Sequence, residues 1–263
     1  MGLSDIRPTV RRRISRGSSY AVFLALVLVF IFVADWDVIQ KSFFNWNVGR
    51  QMFPGVFRAA GNTVLYTVIS FVVGLFFAIV LALMKMSKGP FKWFAVVFIE
   101  VFRGIPALLT LFIMAFAVPM AFSSIRVPGI YMGLIGLVMV TAAYTAEIVR
   151  AGIQAVPKGQ HEAARSLGMS SLRTTITVIL PQAIRIVIPP LTNEVVMLLK
   201  DTSLLFIVGS TKLSKELTTF GRDGISTHAN STPLIVVAVF YLVITIPLTY
   251  LVARLEKRMA VKQ

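Results

Sequence analysis

The distribution of apolar residues along the chain leaves very few folds open. Apolar runs occupy residues 20–34, 64–86, 105–122, 130–149, 178–208 and 234–253. A helix that crosses a bilayer needs about 20 consecutive apolar residues, and in hydrocarbon only helices or closed barrels satisfy their own backbone groups. The expected fold class is therefore an all-α integral membrane protein with about six transmembrane helices. The first run is the shortest. It reaches spanning length if Tyr20 and Trp36 sit at the two headgroup levels and the helix continues toward Ile39. No small-x-small cleavage pattern precedes Asp35, so this segment reads as an uncleaved anchor and not as a secretory signal.

With 263 residues, 57% of them hydrophobic, the spans leave only short connections and no room for a separate soluble catalytic domain. The chain has no Cys, which removes thiolate nucleophiles, disulfides, iron–sulfur clusters and Cys-bearing zinc sites. His161 and His228 are far apart, and His161-Glu162 is followed by Ala163-Ala164-Arg165, so there is no HExxH metal motif. A phosphate-binding GxxxxGK[ST] loop is also missing, so nucleotide energy has to come from another chain. No catalytic residue and no metal ligand is assigned.

Charge sets the expected orientation. Of 26 Lys and Arg, 17 fall in the tails, alternate loops and adjoining span ends that share one side: Arg7, Arg11, Arg12, Arg13 and Arg16; Lys85, Lys88 and Lys92; Arg150, Lys158, Arg165, Arg173 and Arg185; Arg254, Lys257, Arg258 and Lys262. Cytoplasmic loops carry the excess of basic residues, so both termini are expected inside. The segment 35–63, with Trp36, Phe43, Phe44, Trp46 and Phe53, then reads as a chain lying on the outer membrane surface. Residues 210–233 read as a polar external loop with about one helical turn.

Between the fourth and fifth spans, Pro157 and Gly159 end one helix and Gln160 to Leu167 are good helix formers. Gly168 is placed for a left-handed C-cap, and Ser170 or Ser171 for the N-cap of a helix leading to Pro181. This is a short polar helix projecting from the bilayer. It is either an ordinary hairpin loop or a plug for the groove of a partner.

Glu162-Ala163-Ala164, three residues, Gly168, nine residues, then Val178-Ile179-Leu180-Pro181 resembles the EAA signature of permease subunits of binding-protein-dependent ABC importers, with Val178 where Ile is usual. The segments Phe102-Arg103-Gly104-Ile105-Pro106, Ala146-Glu147-Ile148-Val149-Arg150 and Leu199-Lys200-Asp201-Thr202-Ser203-Leu204 resemble the polar amino-acid branch of that family, the histidine/glutamine/glutamate type. The resemblance implies a type I importer permease fold. Its divisions would be a cytoplasmic basic tail (1–19), an accessory first helix with an external loop (20–63), a permease core (64–253, EAA loop about 156–177) and a cytoplasmic tail (254–263). It implies docking on a cytoplasmic ABC ATPase dimer through Lys158, Gly159, Gln160, His161, Glu162, Ala163, Ala164, Arg165, Ser166, Leu167 and Gly168. It also implies a second permease subunit, identical or paralogous, and an external amino-acid-binding protein. The chain itself would bind no cofactor, with ATP and Mg used by the partner, and would lie in a bacterial cytoplasmic membrane as a multi-pass protein. The function implied is inward transport of a polar amino acid; a secondary transporter or channel is the alternative.

Ionisable groups inside spans are candidates for a substrate pathway. Glu147 either pairs with Arg150 or Arg103, or contacts the ammonium of a passing amino acid. Pro189-Pro190 is expected to break the fifth span and free carbonyls near the midplane, with Asn193 and Glu194 following within a turn. Asp201 either pairs with Lys200 or faces the pore mouth. Gly129-x-x-x-Gly133 has the spacing of a close-packing helix face.

Overall fold

The computed structural model describes residues 8–122, 124, 127–211 and 213–260, with side chains from Ser19 to Met259. Arg7, Arg11, Arg12, Arg13, Arg16 and Lys262, which enter the orientation argument, lie outside the described side chains. The chain divides after Trp46 into two units.

The first unit holds α1 (Pro8–Val33) and α2 (Trp36–Phe43). The expected continuation of the first span to Ile39 does not occur. The Asp35 carboxylate accepts the N–H of Val38 at 3.0 Å and caps α2, an arrangement that Asp favours over a helix-interior position. The first helix gains its length on the other side, from Pro8. Trp36 Nε1 donates to the carbonyl of Ile31 at 2.8 Å, and its ring meets Phe30 edge-on.

After α3 (Trp46–Gln51) at the division, the second unit runs through α4 (Gly55–Met86), α5 (Pro90–Gly104), α6 (Ala107–Phe112), α7 (Val118–Ala121) and α8 (Gly129–Gln154). It continues with α9 (Lys158–Ser166), α10 (Ser171–Thr174), α11 (Leu180–Asp201), α12 (Leu217–His228) and α13 (Thr232–Ala260). Wide π turns at Ile113–Ala117 and Thr175–Ile179 join α6 to α7 and α10 to α11, and a 3₁₀ turn, Thr202–Ile207, ends α11. Among the described residues, four stretches are long and apolar enough to cross a membrane: Gly55–Met86, Gly129–Gln154, Ser171–Ile207 and Thr232–Met259. Two bent pairs, Ser19–Val33 with Trp36–Gln51 and Pro90–Gly104 with Ala107–Ala121, bring the number to six if each is one span.

Three expectations are corrected here. Residues 90–104, to which no span was assigned, form α5, and together with Ala107–Ala121 from the expected third span they make a pair of helices bent by 108°. The bend falls at Ile105, which is extended (φ −91°, ψ 134°) because the ring of Pro106 disfavours a helical residue before it. The fifth span does not unwind at Pro189-Pro190, and α11 is continuous through both. Proline's fixed φ fits a helix, so the lesion is confined to the missing N–H donors one turn back, and packing of α11 against α8 and α13 holds the rod. Finally, the loop 210–233 contains the three-turn helix α12. Glu216, 1% exposed, caps it by accepting the N–H groups of Thr218 and Thr219 at 2.5 and 2.6 Å. Burial pushes the Glu216 carboxyl above its usual range, while bonds from Thr219 and Thr218 pull it back. Asn62, Thr63 and Tyr66 of α4 bond Leu213, Lys215, Leu217 and Ser214, so the preceding loop is tied to a span.

Small residues let the spans approach closely, as expected where lipid removes the hydrophobic drive between helices. A Cβ on Gly74 of α4 would lie 2.9 Å from Thr141 Cγ2 of α8, and Ala78, Ala82, Ala142 and Ala146 are buried on the same two helices. A Cβ on Gly133 would lie 3.0 Å from Leu205 Cδ2 and Val208 Cγ2, and one on Gly129 would run into the carbonyl of Val208, so the Gly129/Gly133 spacing packs α8 on the 3₁₀ turn that follows α11. At Gly152 a Cβ would stand 2.0 Å from Val187 Cγ2. Gly152→Leu is therefore expected to cost ~3 kcal/mol through forced separation of α8 and α11. Gly61→Leu, where a Cβ meets nothing within 4 Å, is expected to leave stability near wild type. Thermal unfolding of the two purified variants in detergent checks the contrast.

Candidate functional site

The polar helix α9 is built by local signals. Pro157 is extended (φ −57°, ψ 132°) and starts it, and Gly168 at φ 80° ends it. The N–H of Met169 donates to Ala164 O at 3.2 Å and that of Gly168 to Arg165 O at 3.0 Å, which is the paired bonding of a Schellman stop. Ser170 Oγ accepts the N–H of Arg173 at 3.4 Å and caps α10. Within α9 the side chain of Ala164 is buried and packs the helix to the body. Lys158, Gly159, Gln160, His161, Glu162, Ala163, Arg165 and Ser166 are exposed, as are Leu167 and Gly168 beyond its end. The amide of Gln182 reaches Gln160 Oε1 at 3.4 Å and Val178 O at 2.9 Å, tethering α9 to α11.

Leu167 is 84% exposed, Leu172 71% and Ile176 55%, so an apolar strip borders the polar helix. Leu172 and Ile176 were not anticipated as part of this surface. Their four-residue spacing opposite buried Thr174 is the signal that marks them as one outward face.

The remaining candidates fall in two places. On α11, Asn193 is exposed and its Nδ2 approaches Met197 Sδ at 3.7 Å, while Glu194 and Asp201, two turns apart, are half-buried on a neighbouring face. Glu147 lies elsewhere, on α8. Its carboxylate receives Lys85 Nζ at 2.6 Å and Arg150 Nη2 at 2.8 Å, with Arg103 Nη1 at 3.9 Å. Lys85 also reaches Glu100 at 3.4 Å, and the Arg103 guanidinium lies 5.6 Å from the centre of the Tyr144 ring. Of the two readings of Glu147, the structure displays the ion pairing. It adds Lys85, which comes from 62 residues away and gave no local sign of its partner.

An outward polar helix with a glycine stop is followed by a helix that carries Pro181 in its first turn, all on a bundle of spans. The model of the binding-protein-dependent transport system inner membrane component covers residues 72–261. The chain belongs to that family. This permease is 39% identical to the probable glutamine ABC transporter permease protein GlnM of Bacillus subtilis (strain 168), over 75% of the chain and 90% of the relative. It is 33% identical to the glutamine transport system permease protein GlnP of Escherichia coli (strain K12), over 83% and 99%. A solved structure described as an amino acid ABC transporter with histidines aligns over 81% of this permease and 98% of its own chain, with a TM-score of 0.75 and 34% identity. The chain is thus a multi-pass permease subunit of an ABC importer, with the type I fold. In this permease the Glu147 cluster joins α4, α5 and α8 at one point, where one carboxylate balances cations from all three helices.

Proposed function

We propose that this permease carries a polar amino acid inward, delivered by an external binding protein and driven by a cytoplasmic ABC ATPase dimer that docks on α9. The observation that carries the reading is α9 itself, anchored by Ala164, offering its polar residues outward and bordered by exposed Leu167, Leu172 and Ile176. Polar residues around an apolar strip are the composition of a surface that becomes buried against a protein groove. The amino-acid class rests on the names of the relatives, both of which specify glutamine. The permease binds no cofactor in this reading; ATP and Mg act on the partner subunit. Glu162 contributes to the interface and not to proton transfer in this reading. The second permease subunit, identical or paralogous, completes the pathway that Asn193, Glu194 and Asp201 line. An importer reading requires that uptake into proteoliposomes stops when the ATPase subunit is omitted. Uptake that persists without it favours a secondary transporter or channel.

Both termini and α9 are assigned to the cytoplasm on the charge distribution. Since the native chain has no Cys, Lys158→Cys provides a single reporter. An impermeant maleimide is expected to label it in inverted vesicles and to leave it unlabelled in intact cells; labelling from outside reverses the orientation.

Asn193 is expected to act after substrate delivery. A zwitterion crossing the midplane keeps both charges and needs donors and acceptors along its path. Asn193→Leu should lower uptake about tenfold, equivalent to about one lost hydrogen bond to a charged group, while basal ATP hydrolysis by the reconstituted complex persists. Parallel loss of hydrolysis and assembly would make Asn193 a structural residue.

A further inference from the structure

We propose that the hollow at the corner between α4 and α5 binds the phosphate of an anionic glycerophospholipid. The hollow has a volume of about 310 Å³ and is lined by Lys88, Gly89, Lys92, Trp93 and Val96. Its place relative to the membrane follows from α4, whose apolar run 64–86 ends at Met86. Lys88, two residues further on, therefore stands at the membrane–water boundary whichever face that is. Ser87 closes the end of α4, its N–H and its hydroxyl O–H both donating to the carbonyl of Met84, at 3.1 and 2.7 Å. Gly89 then turns the chain at φ 83°, and Pro90 opens α5. The turn sets Lys88 and Lys92 on one concavity.

The charge at this corner is uncompensated. Lys85, one turn earlier, is held by Glu147 and Glu100. Lys88 and Lys92 are exposed and form no ion pair with a described residue. Beside them Phe91 is 67% exposed, Trp93 71% and Phe94 60%, and the apolar exposure continues along α5 through Val97 and Val101. An aromatic belt with an apolar stripe below it belongs at the headgroup level of a bilayer, and lysine stems reach from such a surface toward phosphates. A basic pocket against a span selects anionic headgroups, because zwitterionic ones present no net charge to it. Val96 and the Trp93 ring pack against the start of the acyl chains while the two ammonium groups take the phosphate.

The test uses the purified full-length permease in neutral detergent, titrated with phosphatidylglycerol or phosphatidylcholine and read by native mass spectrometry as bound-lipid adducts. Phosphatidylglycerol should bind in preference to phosphatidylcholine. K88Q/K92Q should weaken that binding about 25-fold, on the order of fivefold for each lysine, while K88R/K92R and a distant control, K257Q/R258Q, should retain it. Trp93→Ala, which keeps both charges, should weaken it as well. Unchanged phosphatidylglycerol binding in K88Q/K92Q, or equal binding of the two lipids by the wild type, overturns the proposal. Glycerol 1-phosphate and inorganic phosphate serve as competitors. Displacement of the lipid by either at millimolar concentration would assign the hollow to a free phosphate and overturn the lipid assignment.

Discussion

Charge reversal at Glu162 and loss of glycine at residue 168 are each expected to abolish uptake while leaving the amount of folded permease in the membrane unchanged. Glu162 is exposed on α9 and forms no hydrogen bond or ion pair with a described residue, so Glu162→Lys acts chiefly on what a partner meets. Gly168 stands at φ 80° with open space where a Cβ would go, so Gly168→Val acts through backbone strain alone. An L-residue held in the left-handed region costs about 1–2 kcal/mol, and a β-branched one more. The strain is relieved by loosening the Schellman stop, which re-aims α9 against whatever docks there. Gly168→Asn is expected to restore most of the activity, because Asn visits this region at lower cost. Uptake should be measured with co-purification of the ATPase subunit, and the two should fall together. Wild-type uptake in Glu162→Lys and Gly168→Val would return α9 to an ordinary hairpin loop.

Replacing Glu147 by Gln is expected to produce a large fall in stability. The substitution keeps size and shape but leaves Lys85, Arg103 and Arg150 without the carboxylate that draws α4, α5 and α8 together. The Glu147 and Lys85 side chains are each 16% exposed, so solvent screens this pair little. Removing one member of such a pair costs about 3–5 kcal/mol; exposure of Arg103 and Arg150 lowers the expectation here to ~2–4 kcal/mol. The unfolding midpoint of Glu147→Gln should drop accordingly in detergent. The double variant Lys85→Met with Glu147→Leu should recover part of the loss, since a well-packed apolar pair needs no counter-charge. A double variant no better than the single one would show that the ion pair is not what holds this corner.

The sequence by itself determined the class of the molecule, the polar helix between the fourth and fifth spans and the manner in which it ends. These depend on signals read within a few residues: runs of about 20 apolar side chains, Pro157 before a helix, Gly168 after it, Ser170 at a cap. The family signature sits in the same local stretch. Local reading failed wherever a long-range contact decided the outcome. Pro189-Pro190 has the local chemistry of a break, yet packed against α8 and α13 the helix α11 runs on through both. Residues 217–228 are polar and punctuated by glycine. Their helix exists because buried Glu216 caps it and the side chains of α4 bind the strand of chain before it. Lys85 reads as one more positive charge on a loop, and only the fold brings it within 2.6 Å of Glu147. Close approach of helices through Gly74 and Gly152 is likewise a property of pairs of spans and not of either span alone. Caps and spans are intrinsic to short stretches of chain, whereas kinks, ion pairs and helix contacts depend on which distant surface arrives opposite, and that is set only when the bundle assembles.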